Sequence, residues 1–142
     1  MITIIKLNQL SDERGWLVEL FRNDSEYKPA MAYLSFTNPG FIRGPHEHRY
    51  QTDFFYFIGN FELHLWDNRN YSDNLLYGTK QVIITQSDQA YIVPPGVVHG
   101  YKSISGGFVF NTPDKLYKGV NKQEEVDEIR HEKDPNSKFL IE

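Results

Sequence analysis

The chain has 142 residues, of which 39% are hydrophobic and 15% aromatic, with a formal net charge of −4 and no cysteine. This length predicts a single domain spanning residues 1–142. The acidic balance argues against nucleic-acid binding, and no apolar run approaches the roughly 18 residues of a membrane span. The lack of cysteine rules out disulfides and thiolate metal sites, and it fits a cytoplasmic protein without a secretory leader.

Short segments rich in β-branched and aromatic residues recur along the chain, separated by Gly, Pro and Asn turns. This pattern predicts an all-β sandwich or barrel. Gly59-Asn60 is predicted to be the tip of a two-residue hairpin, and the polar region after Pro113 to be a short tail wrapping the outside of the barrel. The predicted strands are 3–7, 16–21, 31–37, 41–48, 53–58, 61–67, 74–77, 80–85, 90–93, 99–103 and 107–112.

Three histidines stand out by their context. His46 and His48 lie two residues apart, and residues i and i+2 of a strand point to the same face, so both imidazoles are expected in one cavity. His99 follows the rigid turn Pro94-Pro95-Gly96. The three side chains are predicted to share the interior of one small β-barrel.

The spacing of these residues resembles the paired motifs of the cupin superfamily. The resemblance implies a double-stranded β-helix, or jelly roll, with the site inside the barrel. Asp53 stands where metal-binding cupins usually carry Glu. The first motif reads Gly40, five residues, His46, one residue, His48, four residues, Asp53, five residues, Gly59, and the second reads Pro94 to His99.

Sequences around these motifs resemble one group within the superfamily, the nucleotide-sugar isomerases. Residues 12–21 (Asp-Glu-Arg-Gly-Trp-Leu-Val-Glu-Leu-Phe) resemble the opening motif of 3,5-epimerases of the dTDP-4-dehydrorhamnose type. Residues 43–49 resemble both their Arg-Gly-Leu-His and the Arg-Gly-Phe-His-Ala-His-Lys of the sugar 3,4-ketoisomerases. The resemblance implies an isomerase without cofactor acting on a dTDP- or GDP-linked 4-keto-6-deoxyhexose, in surface-polysaccharide synthesis such as that of O-antigen.

The resemblance also assigns candidate catalytic roles. The histidine that matches His46 abstracts the proton next to the sugar ketone, and an ordinary imidazole pKa suits that task. His48 is a feature of the ketoisomerases and is a candidate second base or acid. An aromatic strand before the motif is another of their features, which makes Tyr33 a candidate catalytic residue.

Four further residues are implied in substrate binding. Arg43 matches an arginine that pairs with the substrate, and its planar fork suits a diphosphate. Arg14 and Glu19 match residues that reach the nucleotide, often across a dimer interface, so a homodimer is expected. His99 matches a barrel-lining histidine and is expected to contact the sugar or its diphosphate.

Three parts of the epimerase pattern are missing. Residues 50–53 contain no lysine, residues 107–112 contain no tyrosine, and the C-terminal region that supplies an aspartate partner to the histidine is absent or shortened. Single C-3 epimerisation, a 3,4-ketone shift and binding of a nucleotide sugar or carbohydrate without turnover therefore all remain open.

A metal centre is the remaining alternative. His46, His48, His99 and Asp53 (or Gln51) offer three imidazoles and one oxygen. Such a set suits Fe, Mn, Ni or Zn.

Overall fold

The computed structural model describes residues 1–142 and is built from β-strands and two short 3₁₀ turns, with no α-helix. All strand pairs are antiparallel. No helix is long and apolar enough to cross a membrane. The strands are β1 (Thr3–Lys6), β2 (Gln9–Asp12), β3 (Gly15–Val18), β4 (Tyr33–Thr37), β5 (Ile42–Glu47), β6 (Asp53–Ile58), β7 (Phe61–Asp67), β8 (Lys80–Ile84), β9 (Gln89–Val93), β10 (Val97–Ser103), β11 (Gly107–Asn111) and β12 (Ile129–Arg130), and the 3₁₀ turns are Val120–Lys122 and His131–Lys133.

Two five-stranded sheets face each other, with the orders β1-β9-β6-β11-β4 and β12-β5-β10-β7-β8. From β4 to β7 and from β8 to β11, successive strands alternate between the sheets. This alternation is the jelly-roll arrangement, so the predicted all-β double-stranded β-helix is confirmed. β2 and β3 form a separate two-stranded hairpin.

The turn at Gly59 and Asn60 does not form a hairpin, so that prediction is wrong. β6 pairs with β9 and β11, whereas β7 pairs with β10 and β8. A two-residue turn fixes a tight reversal of the chain, but tertiary packing decides which strands pair. Here the reversal carries the chain from one sheet to the other.

The core fills the space between the sheets with rings and branched aliphatic side chains. The centroids of the Phe57, Phe61 and Tyr101 rings lie 5.1–5.8 Å apart, distances typical of favourable edge-to-face pairs. The cluster consists of Phe55, Phe57, Phe61, Leu63, Leu65, Tyr91, Val93, Val97, Tyr101 and Val109.

Two predicted strands differ from the structure. Residues 74–77 form a loop with a turn instead of a strand, because the Asn74 side chain donates to Asp67 Oδ1 (3.1 Å) and to the Arg69 carbonyl (2.7 Å) and folds the loop back on itself. The predicted strand 16–21 ends at Val18 and is one arm of the β2–β3 hairpin.

The C-terminal tail wraps the outside of the barrel, as predicted, and also extends a sheet. Phe139 packs on Trp66 and Val98 on the outer surface. β12 pairs with β5, placing Ile129 opposite Glu47. The tail therefore covers the edge of β5, which protects an otherwise unpaired strand.

Candidate active site

A cavity of about 510 Å³ lies between the two sheets. Tyr33 reaches it from β4 in one sheet, and Arg43, His46 and Tyr101 reach it from β5 and β10 in the other. His48, which directly follows β5, also lines it. The shared hollow predicted for His46 and His48 is therefore present, and Tyr33 and Arg43 open onto it.

Gly44 explains why the chain reads Arg-Gly-Pro-His at this point. Its φ is +83°, and a Cβ there would lie 2.8 Å from the His99 carbonyl oxygen and 2.9 Å from the Gly100 Cα. Only glycine tolerates both the conformation and the contact. The close approach of β5 and β10 places His46 directly opposite His99 in the sheet.

Asp53 is the fully buried centre of the polar cluster. Its Oδ1 accepts hydrogen bonds from Gln51 (2.7 Å) and Asn111 (3.0 Å). Its Oδ2 lies 3.2 Å from His48 Nε2 and 3.0 Å from His99 Nε2. Burial alone would raise the pKa of Asp53, but the two imidazoles outweigh it and hold that pKa well below its usual value.

The ring nitrogens of two of the three imidazoles, those of His48 and His99, contact other protein atoms. Nδ1 of His48 donates to the Asp127 carbonyl (2.6 Å), and the Gln51 amide lies 3.3 Å from its Nε2. Burial lowers the pKa of His48, but the Asp53 carboxylate and the Asp127 carbonyl together raise it above its usual value. Nδ1 of His99 donates to the Val97 carbonyl (2.9 Å).

His46 is the imidazole that lines the cavity with no hydrogen bond to the protein. Burial, followed by the neighbouring His99 and His48, holds its pKa well below the usual value. Its ring centroid lies 4.6 Å from that of His99 and 5.5 Å from that of His48. A neutral imidazole with a free ring nitrogen facing a cavity is suited to accept a proton.

Three residues that were predicted to bind substrate do not line this cavity. Arg14 is on the β2–β3 hairpin, where its side chain is 85% exposed and paired with Asp12. Glu19 follows that hairpin and is also outside the cavity wall. His99 is 1% exposed and lies beneath His46 and His48, because the strand register turns it into the interior. The expected direct contact of His99 with substrate is therefore corrected to a buried supporting position.

The tail supplies a part of the site that was not predicted from the sequence. Nearly half of the cavity lining comes from residues 115–130. The C-terminal region gives His46 no aspartate partner, but it does contact the neighbouring histidine, because the main-chain carbonyl of Asp127 accepts from His48. In the sequence, the acidic residues at 124–128 could have indicated a functional segment. Their place beside the cavity could not be predicted, because it depends on tertiary packing.

The cluster also fits a divalent metal ion. Ligand atoms of His46, His48, Asp53 and His99 all lie within 4.8 Å of one another. Asp53 Oδ2 and His99 Nε2 are buried and have no hydrogen-bond partner, since the 3.0 Å contact between them lacks hydrogen-bond alignment. Orphaned buried polar atoms of this kind call for a proton or a cation between them.

Comparisons with known proteins agree with this architecture. The chain is 34% identical over 122 residues to the "Probable low-salt glycan biosynthesis epimerase Agl13" of Haloferax volcanii, covering 81% of this chain and 78% of that protein. The crystal structure of a dTDP sugar isomerase from Desulfovibrio desulfuricans superposes with a TM-score of 0.81 at 19% identity, covering 98% of this chain and 89% of that one. A 3,4-ketoisomerase from Helicobacter canadensis superposes with a TM-score of 0.69 at 20% identity, covering 90% and 89%.

The two solved structures show a shared fold at these identities. Residues 1–112 match the family described as "FdtA: WxcM-like, C-terminal", which is most of the chain. The match includes the strands that carry the histidine cluster and ends just before the tail. On this match and the relationship to the Haloferax epimerase, the chain belongs to the FdtA family of WxcM-like C-terminal domains.

Proposed function

We propose that the protein is an isomerase that epimerises C-3 of a dTDP- or GDP-linked 4-keto-6-deoxyhexose, with His46 as the base. The carrying observation is that His46, alone among the three clustered imidazoles, faces the cavity without a hydrogen bond to the protein. The 4-ketone acidifies the neighbouring C-3 hydrogen. The unprotonated imidazole favoured by the lowered pKa of His46 then accepts that proton.

Loss of the C-3 proton leaves an enolate whose negative charge lies on the ketone oxygen. Arg43 is the donor best placed to stabilise it. Its Nε and Nη2 already bond to Thr37 Oγ1 (3.0 Å) and the Phe36 carbonyl (2.9 Å), which orient the guanidinium. The remaining N–H groups are available to an oxyanion or a diphosphate. Both ring nitrogens of His48 are engaged, so His48 serves here as a neighbour that supports His46 rather than as a second base.

Tyr33 supplies the acid for inversion. It reaches the cavity from the sheet opposite to that of His46, so the two groups approach a bound sugar from different sides. Burial, then Tyr117, Asp53 and Glu128, raise the pKa of Tyr33, which keeps the phenol protonated. The phenol gives its proton to C-3 as the enolate collapses to the ketone, and the proton on His46 restores the phenol through solvent.

The sequence and the relatives also support proposals about the pathway, cellular location and assembly of the enzyme. The Haloferax relative is named for glycan biosynthesis, which supports a role in surface-polysaccharide sugar synthesis such as that of O-antigen. We place the enzyme in the cytoplasm as one domain of residues 1–142 that binds neither nucleic acid nor membrane. We assign Arg14 and Glu19 to nucleotide binding across the interface of a homodimer, since each lies outside its own cavity.

Deuterium incorporation tests the proposal. Nucleotide-linked 4-keto-6-deoxyhexoses are incubated with the protein in deuterated water, and NMR follows deuterium at C-3 and identifies the product sugar. We expect incorporation with inversion at C-3, and a loss of about 10²–10⁴-fold in rate for His46→Asn. His64→Asn is the matched control, because His64 lies on the outer face of β7 and bonds to Glu62.

The outcomes separate the remaining alternatives. Deuterium at C-4 together with a ketone moved to C-3 would identify a 3,4-ketoisomerase that uses the same first step. No incorporation with any of these sugars would contradict isomerase activity and leave binding alone. Equal rates for the wild type and His46→Asn would remove His46 from its proposed role.

A metal centre is the second candidate, favoured by the orphaned Asp53 Oδ2 and His99 Nε2. A divalent ion would be held by the three histidines and Asp53, and it would polarise the substrate ketone as a Lewis acid. Elemental analysis of protein purified without a histidine tag decides between the two. Stoichiometric Fe, Mn, Ni or Zn that is lost in His48→Ala would establish the metal site, whereas metal-free protein with full exchange activity would refute it.

A further inference from the structure

Asp127 makes contacts with the histidine segment that neither the family match nor the proposed chemistry assigns. It lies in the tail, beyond the residues that match the family. Its carboxylate accepts the backbone N–H groups of Arg49 (3.0 Å), Tyr50 (3.0 Å) and Gln51 (2.9 Å), the three residues that follow His48. Its carbonyl accepts the Nδ1 proton of His48 at 2.6 Å.

These contacts fix the backbone turn at residues 49–51 and the orientation of the His48 ring. Three successive N–H groups that converge on one carboxylate form an anion-binding concavity, and bonds to a charged acceptor are the stronger kind. Because a carbonyl can only accept, His48 must carry its proton on Nδ1 in this contact. Nε2 of His48 is thereby directed at Asp53 and Gln51, in the layer directly behind His46.

The position of Asp127 is set by strand pairing. β12 places Ile129 opposite Glu47 and Arg130 opposite His46. Continuing this antiparallel register brings residue 127 beside residue 49. The pairing is anchored on the outer face of β5, where Glu47 accepts a hydrogen bond from His131 (2.9 Å).

We propose that Asp127 is a positioning residue that makes the C-terminal tail part of the proton-transfer site. Its carboxylate holds the 49–51 turn, and its carbonyl holds the His48 ring against which His46 is set. The carboxylate oxygens are occupied by three N–H groups, so Asp127 acts through His48 and not on the substrate. This inference rests on the proposed isomerase function.

The test compares Asp127→Asn with the matched variant Asp114→Asn. Asp114 also lies in the tail and accepts one backbone N–H of the same segment, that of Thr52 (2.8 Å), but it does not contact His48. Amide hydrogen exchange of residues 49–51 is measured without substrate. The kcat and KM of deuterium incorporation at C-3 are measured separately.

For Asp127→Asn we expect at least tenfold faster amide exchange at residues 49–51. We also expect kcat to fall by about 10²-fold with a much smaller change in KM, the cost of a small displacement of a reacting group. Asp114→Asn keeps an oxygen that can accept the Thr52 N–H, so it is expected to weaken this single bond and to keep kcat within about twofold. Asp127→Glu retains the charge but moves the main chain, so it is expected to lower kcat while keeping part of the amide protection.

Two results would overturn the inference. Faster amide exchange with unchanged kcat would make Asp127 a structural anchor only, and unchanged amide exchange would show that its carboxylate does not hold the turn. Failure of the proposed function would look different, because the wild type itself would then incorporate no deuterium. If Asp127→Asn does not fold, the kcat of Asp127→Glu decides.

Discussion

Replacing Asp53 by Ala or by Asn separates the two tasks of this buried carboxylate. In Asp53→Ala the amides of Gln51 and Asn111 lose their buried acceptor, and the imidazoles of His48 and His99 lose their anionic neighbour. Asp53→Asn keeps the shape and one oxygen for the two amides. Its new NH₂ group faces Nε2 of each imidazole and can donate to both rings while they are neutral.

The magnitudes follow from these contacts. Each buried donor left without a partner costs about 1–3 kcal/mol, and breaking a buried charged cluster costs about 3–5 kcal/mol. We expect Asp53→Ala to lose about 4 kcal/mol, or roughly 12 °C in Tm for a chain of this size. Near pH 8, Asp53→Asn should lose less than half of that.

The pH dependence gives the sharper signature. The pKa of His48 is raised above 6.5, so its contribution to stability is fully present below pH 6.5 and is lost as the pH rises through the folded value. The pKa of Asp53 is lowered below 3.8, so its contribution is present above pH 3.8 and is lost as the pH falls through the folded value. The difference in unfolding free energy between wild type and Asp53→Asn should therefore be largest between pH 3.8 and pH 6.5.

Urea unfolding from pH 3 to pH 8, followed by Trp fluorescence, measures the gap directly. The Asp114→Ala variant, which loses one partly buried hydrogen bond from Thr52, serves as the control and should lose about 1 kcal/mol. A loss below 1 kcal/mol in Asp53→Ala would refute the reasoning. So would a gap between wild type and Asp53→Asn that does not change with pH.

Three other predictions concern the barrel, the tail and the base. Gly44→Ala should lose more than about 2 kcal/mol in urea unfolding, because its methyl group meets the His99 carbonyl; wild-type stability would contradict the packing. Phe139→Ala should lose about 3 kcal/mol through its contact with Trp66, and an unchanged unfolding midpoint would show that the tail is undocked. The rate of C-3 exchange should fall on the acid side with an apparent pKa below 6.5, because the pKa of His46 is lowered; an acid limb above 6.5 would contradict His46 as the base.

The parts of the site that could be predicted are those fixed by local geometry. The alternation of a strand was enough to place His46 and His48 on one face. Asp53 was noted only as a possible metal ligand, whereas the structure makes it the charge that both His48 and His99 face. Its role arises because β6 and β10 lie in different sheets that meet at this point, and no local pattern encodes that meeting.

Two of the errors have the same origin. Gly59 and Asn60 specify a tight turn, but which sheet receives the following strand depends on the packed core. The position of Asp127 depends on tertiary pairing too, because β12 adds to the edge of β5. Arg14 differs, because it lies at the tip of the local β2–β3 hairpin, which joins neither sheet.

The division of the cavity between barrel and tail has an evolutionary consequence. The reacting groups lie within the region shared by the family, whereas nearly half of the enclosing wall lies beyond it. Tail mutations that keep Asp127 can therefore retune which sugar is accepted and leave the proposed acid–base pair in place. Exchanging this segment between homologues that retain the aspartate is accordingly a direct route to altered substrate preference.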